Sequence, residues 1–169
     1  MTDAFDLIFG VHKGFSAPSS DPDTAEEEST NWEAGFRYAD NGIALEVLGF
    51  VNDFENLVGV CTASSGTGCE VGEVFRGDAA RASGIESTLA ADWSPDRAIG
   101  LPLRATWTWT DAEFRSDLAD SNFFGDVSKG DPIPYIPDNQ LYIEQGVLWQ
   151  RWAGYLSLTH VGESCAFAS

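Results

Sequence analysis

Residues 101–114 read LPLRATWTWTDAEF, and at their centre Trp107, Thr108, Trp109 and Thr110 alternate between an aromatic ring and a hydroxyl. In an extended strand successive side chains point to opposite faces, so Leu101, Leu103, Ala105, Trp107 and Trp109 share one face. Arg104, Thr106, Thr108 and Thr110 share the other. One face is oily and one is wet. A soluble sandwich has this pattern when the oily face is its core, and an outer-membrane barrel has it when the oily face meets lipid and the wet face lines a lumen.

The same alternation recurs along the chain. Phe5, Leu7, Phe9, Val11 and Phe15 oppose Asp6, Gly10, His12 and Ser16; Trp32, Ala34, Phe36 and Tyr38 oppose Asn31, Glu33, Gly35 and Arg37. Ile43, Leu45, Val47 and Val51 oppose Glu46 and Asn52, although Leu48, Phe50 and Phe54 fall on the polar parity. Ile85, Leu89, Ala91 and Trp93 oppose Gly84, Glu86, Thr88 and Asp92. Leu141, Ile143, Val147 and Trp149 oppose Gln140, Tyr142, Glu144 and Gly146, with Gln145 as a defect, and WAGYLSLTHV closes the series with a mixed pattern. These segments predict seven strands and no amphipathic helix. Their connections alternate long and short: SAPSSDPDTAEEEST, then ADNG; the stretch around residues 58–76, then SPDRAIG; SDLADSNFFGDVSKGDPIP, then Gln150 and Arg151. That rhythm describes an antiparallel up-and-down meander with large loops at one end and tight turns at the other, as in outer-membrane barrels.

Composition narrows the partners. Acidic residues outnumber basic ones 27 to 9 in a chain of 169 residues, for a formal charge of -18. Such a field repels a phosphate backbone, and no nucleic-acid partner is expected. No apolar run is long enough for a membrane-spanning helix. The start, MTDAFDLIFGVHKG, lacks the basic and apolar regions of a signal peptide, so the protein is cytosolic or its natural beginning lies upstream. Cys61 and Cys69 bracket TASSGTG, where a disulfide would clip a loop in an oxidising compartment; free thiols are the rival reading, and a metal site would need further soft ligands. The acidic run Asp21, Asp23, Glu26, Glu27 and Glu28 lacks the spacing of a calcium loop and reads as a solvated loop. Asp111, Glu113 and Asp117 offer carboxylates of the kind glycosidases pair, but the abundance of carboxylates makes such groupings common by chance, and no enzyme activity, resident metal or cofactor is expected.

The ordered segments VHKGFSAPSSDPDTAEEESTNWEAGFRY, LEVLGFVNDFENLVGVC, ARASGIESTLAADWSP, ATWTWTDAEFRS and GDPIPYIPDNQLYIEQG resemble consecutive barrel strands of TonB-dependent outer-membrane receptors, particularly those similar to ferric dicitrate receptors. The resemblance covers about residues 5 to 162. It implies an all-β fold whose lipid-facing strands belong to a large barrel with a separate N-terminal plug, importing a ferric siderophore with energy delivered through TonB. The expected architecture is therefore a partial transmembrane β-barrel over residues 1–169, open and of about seven strands, from the C-terminal portion of such a barrel. Signal peptide, plug and TonB-contacting segment are then expected outside this chain. Its open edges are expected near residues 5 to 15 and 152 to 161. Within such a lumen Arg104, Arg37 and Arg81 would be candidate contacts for an anionic iron chelate, because a guanidinium presents a rigid fork to carboxylate oxygens; a solvated, salt-bridged lumen wall is the plainer role. Trp93, Trp149 and Trp152 adjoin the short turns and would form an interfacial girdle. The competing architecture is a soluble secreted β-sandwich binding module with the tryptophan face as its core.

Overall fold

A computed structural model describes residues 4–16, 26–60, 70–72, 74–77, 79–94, 98–121 and 125–165. Cys61 and Cys69 lie outside these residues, as do Asp21 and Asp23 of the acidic run. In chain order the strands are β1 (Phe5–Ser16), β2 (Glu27–Asp40), β3 (Ile43–Glu55), β4 (Leu57–Val60), β5 (Val74–Gly77), β6 (Ala80–Asp92), β7 (Ile99–Gly100), β8 (Pro102–Phe114), β9 (Leu118–Ser121), β10 (Gly125–Val127), β11 (Asn139–Trp149) and β12 (Trp152–Val161).

Seven long strands form one antiparallel sheet in the order β1-β2-β3-β6-β8-β11-β12, with the two-residue β7 added beside β11. The fold is thus all-β, an open up-and-down meander of the expected strand number. Each long strand has 10 to 14 residues, enough to cross a bilayer at the tilt of a barrel strand. Among the described residues β1 pairs only with β2 and β12 only with β11, so the edges fall where the sequence places them. The tight connections have local causes. Asn41 and Gly42 both adopt positive φ (48° and 80°), as a two-residue type I′ hairpin requires. Between β6 and β8, Asp92 Oδ1 accepts the backbone N–H groups of Ser94 and Leu101, each at 3.1 Å, and so ties the turn shut.

Two short hairpins were not legible in the alternation. β4 pairs β5, and β9 pairs β10, both inside long connections. The second belongs to the one compact apolar cluster among the described residues: Phe114, fully buried, meets Val127, with Ile133 packed against them. The chain holds this cluster by pairing residues 130–133 along the end of β8, through Phe114 N–H to Asp131 O and Ile133 N–H to Ala112 O, both 2.9 Å. Phe114 has the parity of Thr108 and Thr110, so the connection folds over the wet face.

The tryptophan face has no second layer among the described residues. Phe9 is 74% exposed, Trp152 66% and Leu156 78%. This corrects the sandwich alternative: among the described residues the buried apolar side chains are only Ala80, Ala91, Ala112, Phe114 and Val127, and no described sheet covers the oily face. A face this extensive and apolar needs a non-aqueous neighbour.

Candidate functional site: the two faces of a barrel wall

Cross-strand register fixes which side chains share a face. One row runs Phe9, Ala34, Gly49, Ile85, Trp109, Asn139; the next runs Leu7, Phe36, Val47, Ser87, Trp107, Leu141, His160. All six tryptophans of the chain fall on this side, Trp149 directly opposite Trp152 and Trp93 just past Ala91. The nine-residue stretches Ile85–Trp93, Leu101–Trp109 and Leu141–Trp149 each take eight rises along the chain, about 26 Å at the usual rise.

The apolar belt is oblique to the rows. On β1 it centres on the Phe9 row, which crosses β8 at Trp109; on β12 it centres on the Leu156 row, which crosses β8 at Leu103. Those crossings are six residues apart over six strand steps. A drift of one residue per strand, with about 3.3 Å rise and 4.8 Å spacing, corresponds to a tilt of about 35° against the belt. Transmembrane barrels tilt by about 35–45°. A belt perpendicular to the strands would instead describe a flat ribbon. At this tilt the nine-residue stretches span about 21 Å across the membrane, near the roughly 25 Å apolar band of such barrels.

One polar group on the belt is satisfied within the sheet. Gln145, the defect in its strand, donates from Nε2 to the carbonyls of Pro102 (2.9 Å) and Gly146 (2.8 Å), which lowers the cost of an amide facing lipid.

The opposite face is hydrated and predominantly acidic. Asp6, Glu27, Glu33, Glu46, Glu86, Asp92 and Glu144 have its parity, against Arg37 and Arg104. Arg37 Nε donates to Glu46 Oε2 at 2.7 Å, and its terminal nitrogen contacts the same oxygen. Arg104 lies directly opposite Glu144, which accepts the Tyr142 hydroxyl at 2.8 Å. Arg104 forms no hydrogen bond or ion pair among the described residues. It lines a depression of about 840 Å³ floored by Ala39, Ala44 and Ala90 and walled by Glu144, Leu148 and Tyr155, at the short-turn end. Arg37 and Arg104 are three strand steps apart, about 14 Å across the strands, with Arg104 one row further toward the short turns. Nearer the long connections, His12 Nε2 approaches Glu33 Oε2 to 4.0 Å; Gly10 makes room for this, since a Cβ there would stand 2.9 Å from that nitrogen.

Arg81 requires a correction. Unbroken register pairs it with Asp53 and Glu113, in the row that continues to Thr30 and Lys13 on the face of Ile85 and Trp109. It therefore points away from the lumen, one step beyond the belt, and chelates Asp53 through Nε at 2.6 Å and a terminal nitrogen at 3.1 Å. Position in an odd-numbered strand slot, shared with Ile85 and Leu89, was the signal available in the sequence. Two of the three carboxylates considered for hydrolysis are engaged elsewhere. Glu113 holds Arg115 at 2.7 Å, and Asp117 accepts the backbone N–H of Lys129 at 2.7 Å.

A tilted antiparallel sheet, tryptophan-banded and apolar outside, wet and charged inside, with long connections at one end, is a segment of an outer-membrane β-barrel wall. The chain belongs to the TonB dependent receptor-like, beta-barrel family, whose model matches residues 1–164. That family comprises outer-membrane transporters rather than enzymes. A search of curated proteins finds none that matches this chain.

Proposed function

We propose that this chain is part of the barrel wall of a receptor that imports a ferric siderophore, with the plug and the TonB-contacting segment outside the wall described here. The observation that supports this reading is the sheet itself, whose oily outer face suits lipid and whose two open edges, β1 and β12, need further strands of the same barrel. Ferric dicitrate is the chelate suggested by the resemblance. The long-connection end of the strands is the outer end, and Arg104, which forms no hydrogen bond or ion pair among the described residues, is the wall arginine best able to meet a visiting carboxylate or a carboxylate of the plug.

The test is uptake of radioactive iron by iron-starved cells that express the receptor carrying this sequence, with and without TonB. Import of an iron chelate that disappears without TonB supports the reading. Equal growth and equal iron uptake with and without the receptor, across the main siderophore classes, would overturn it.

A further inference from the structure

Resting on the reading of the chain as a wall of an iron-chelate importer, we infer that the pathway it lines admits cationic or neutral ferric chelates in preference to polyanionic ones. The charges on the inner face carry the argument. Among the described residues of the long strands seven carboxylates face two guanidiniums there, and both guanidiniums lie beside carboxylates: Arg37 is closed on Glu46, and Arg104 has Glu144 directly across from it. Arg81 is turned to the outer face and held by Asp53.

The entrance has the same sign. The described residues of the long connections include Glu26, Glu70, Asp117, Asp126, Asp131 and Asp138 against Arg115 and Lys129, while those of the short turns at the other end carry only Arg151. Arg104 lies ten residues along β8 from Phe114 at the mouth, about 33 Å away. A chelate approaching from the long-connection end meets carboxylates first and Arg104, opposite Glu144, last. Low-dielectric barrel walls focus such a field and change association rates by about ten-fold to a thousand-fold. Citrate chelates are polyanions, so the wall's own charge speaks against the dicitrate complex even though the strands resemble its receptors.

The experiment compares three ferric chelates on cells expressing the whole receptor: a trihydroxamate bearing a free ammonium, a neutral trihydroxamate, and a polyanionic tricatecholate. At low salt the cationic chelate should bind and enter faster than the polyanion by about ten-fold or more. The advantage should shrink as salt shortens the screening length from about 30 Å at 0.01 M to about 8 Å at 0.15 M. Replacing Glu33 and Glu86, both on the inner face, by Lys should reduce the ratio or invert it. Faster entry of the polyanion, or a ratio that neither salt nor the double variant moves, overturns the charge preference and leaves iron import standing. Should the double variant fail to reach the membrane, Glu86→Gln and the salt series on the native receptor decide the matter by the same criteria. If none of the three chelates enters, the iron-chelate reading fails and the inference fails with it.

Discussion

Trp107 and Thr108 are consecutive residues with opposite neighbours, so the same substitution at each separates the two faces. Trp107 lies between Ser87 and Leu141 within the belt, about one step from its centre on β8. An arginine there meets acyl chains, at a cost of about 2–4 kcal/mol near the bilayer midplane. Thr108 lies between Glu86 and Gln140 on the wet face. An arginine there stays hydrated and gains a carboxylate directly across the strands, a contact worth about 0.2–1 kcal/mol. The difference is at least about 2 kcal/mol, or roughly thirty-fold in the folding equilibrium. The assay is refolding of the barrel containing this chain into lipid vesicles, with the folded fraction read from heat-dependent electrophoretic mobility across a urea series. Trp107→Arg should lower the midpoint markedly while Thr108→Arg leaves it close to the parent. Equal losses would mean that both faces are dry and packed, and a larger loss from Thr108→Arg would mean that the faces are exchanged.

Three further outcomes follow from individual contacts. A Cβ at Gly84 would stand 2.2 Å from the Trp109 carbonyl and 2.8 Å from the Phe50 ring, whereas one at Gly154 would meet nothing within 4 Å; Gly84→Ala should cost about 1–3 kcal/mol in the same refolding assay and Gly154→Ala almost nothing, and parity between them would discredit the packing of Phe50. Arg81→Ala should cost no more than about 1 kcal/mol, because its bridge to Asp53 is part-exposed, and should leave chelate uptake unchanged because it faces outward; lost uptake at normal barrel abundance would return Arg81 to the lumen. The isolated chain, with two open edges and an uncovered apolar face, should aggregate in buffer and disperse in detergent, as followed by light scattering, and a monodisperse monomer in plain buffer would speak for a hidden soluble core.

Much of the sheet was written in local alternation. A strand with one side in lipid and one in water must change polarity at every residue, so Trp107-Thr108-Trp109-Thr110 discloses its faces without knowledge of its neighbours. The Asn-Gly pair at 41–42 likewise discloses its turn, since few residues accept two positive φ angles in succession. What stayed illegible depends on partners distant in sequence. Phe50 breaks the alternation of β3 because its ring lies over Gly84, a seat provided by β6. Gln145 reads as a defect until Pro102, far away in sequence, supplies a carbonyl. The cluster of Phe114, Val127 and Ile133 forms only when a long connection returns across β8, and no periodicity announces that return. For the candidate site, the alternation places Arg37 and Arg104 on the wet face, yet the partners that shape their chemistry, Glu46 and Glu144, come from register alone.

The most direct measurement is a nitroxide scan of β8 from Leu103 to Thr110 in the lipid-reconstituted barrel that contains this chain. Each residue in turn carries the label, and collisions with oxygen, which concentrates in acyl chains, are compared with collisions with a water-soluble nickel complex. Labels at 103, 105, 107 and 109 should collide mainly with oxygen, and labels at 104, 106, 108 and 110 mainly with nickel, in strict alternation. A profile low in both reagents throughout, or nickel access at the tryptophan positions, would contradict the assignment of the tryptophan face to lipid.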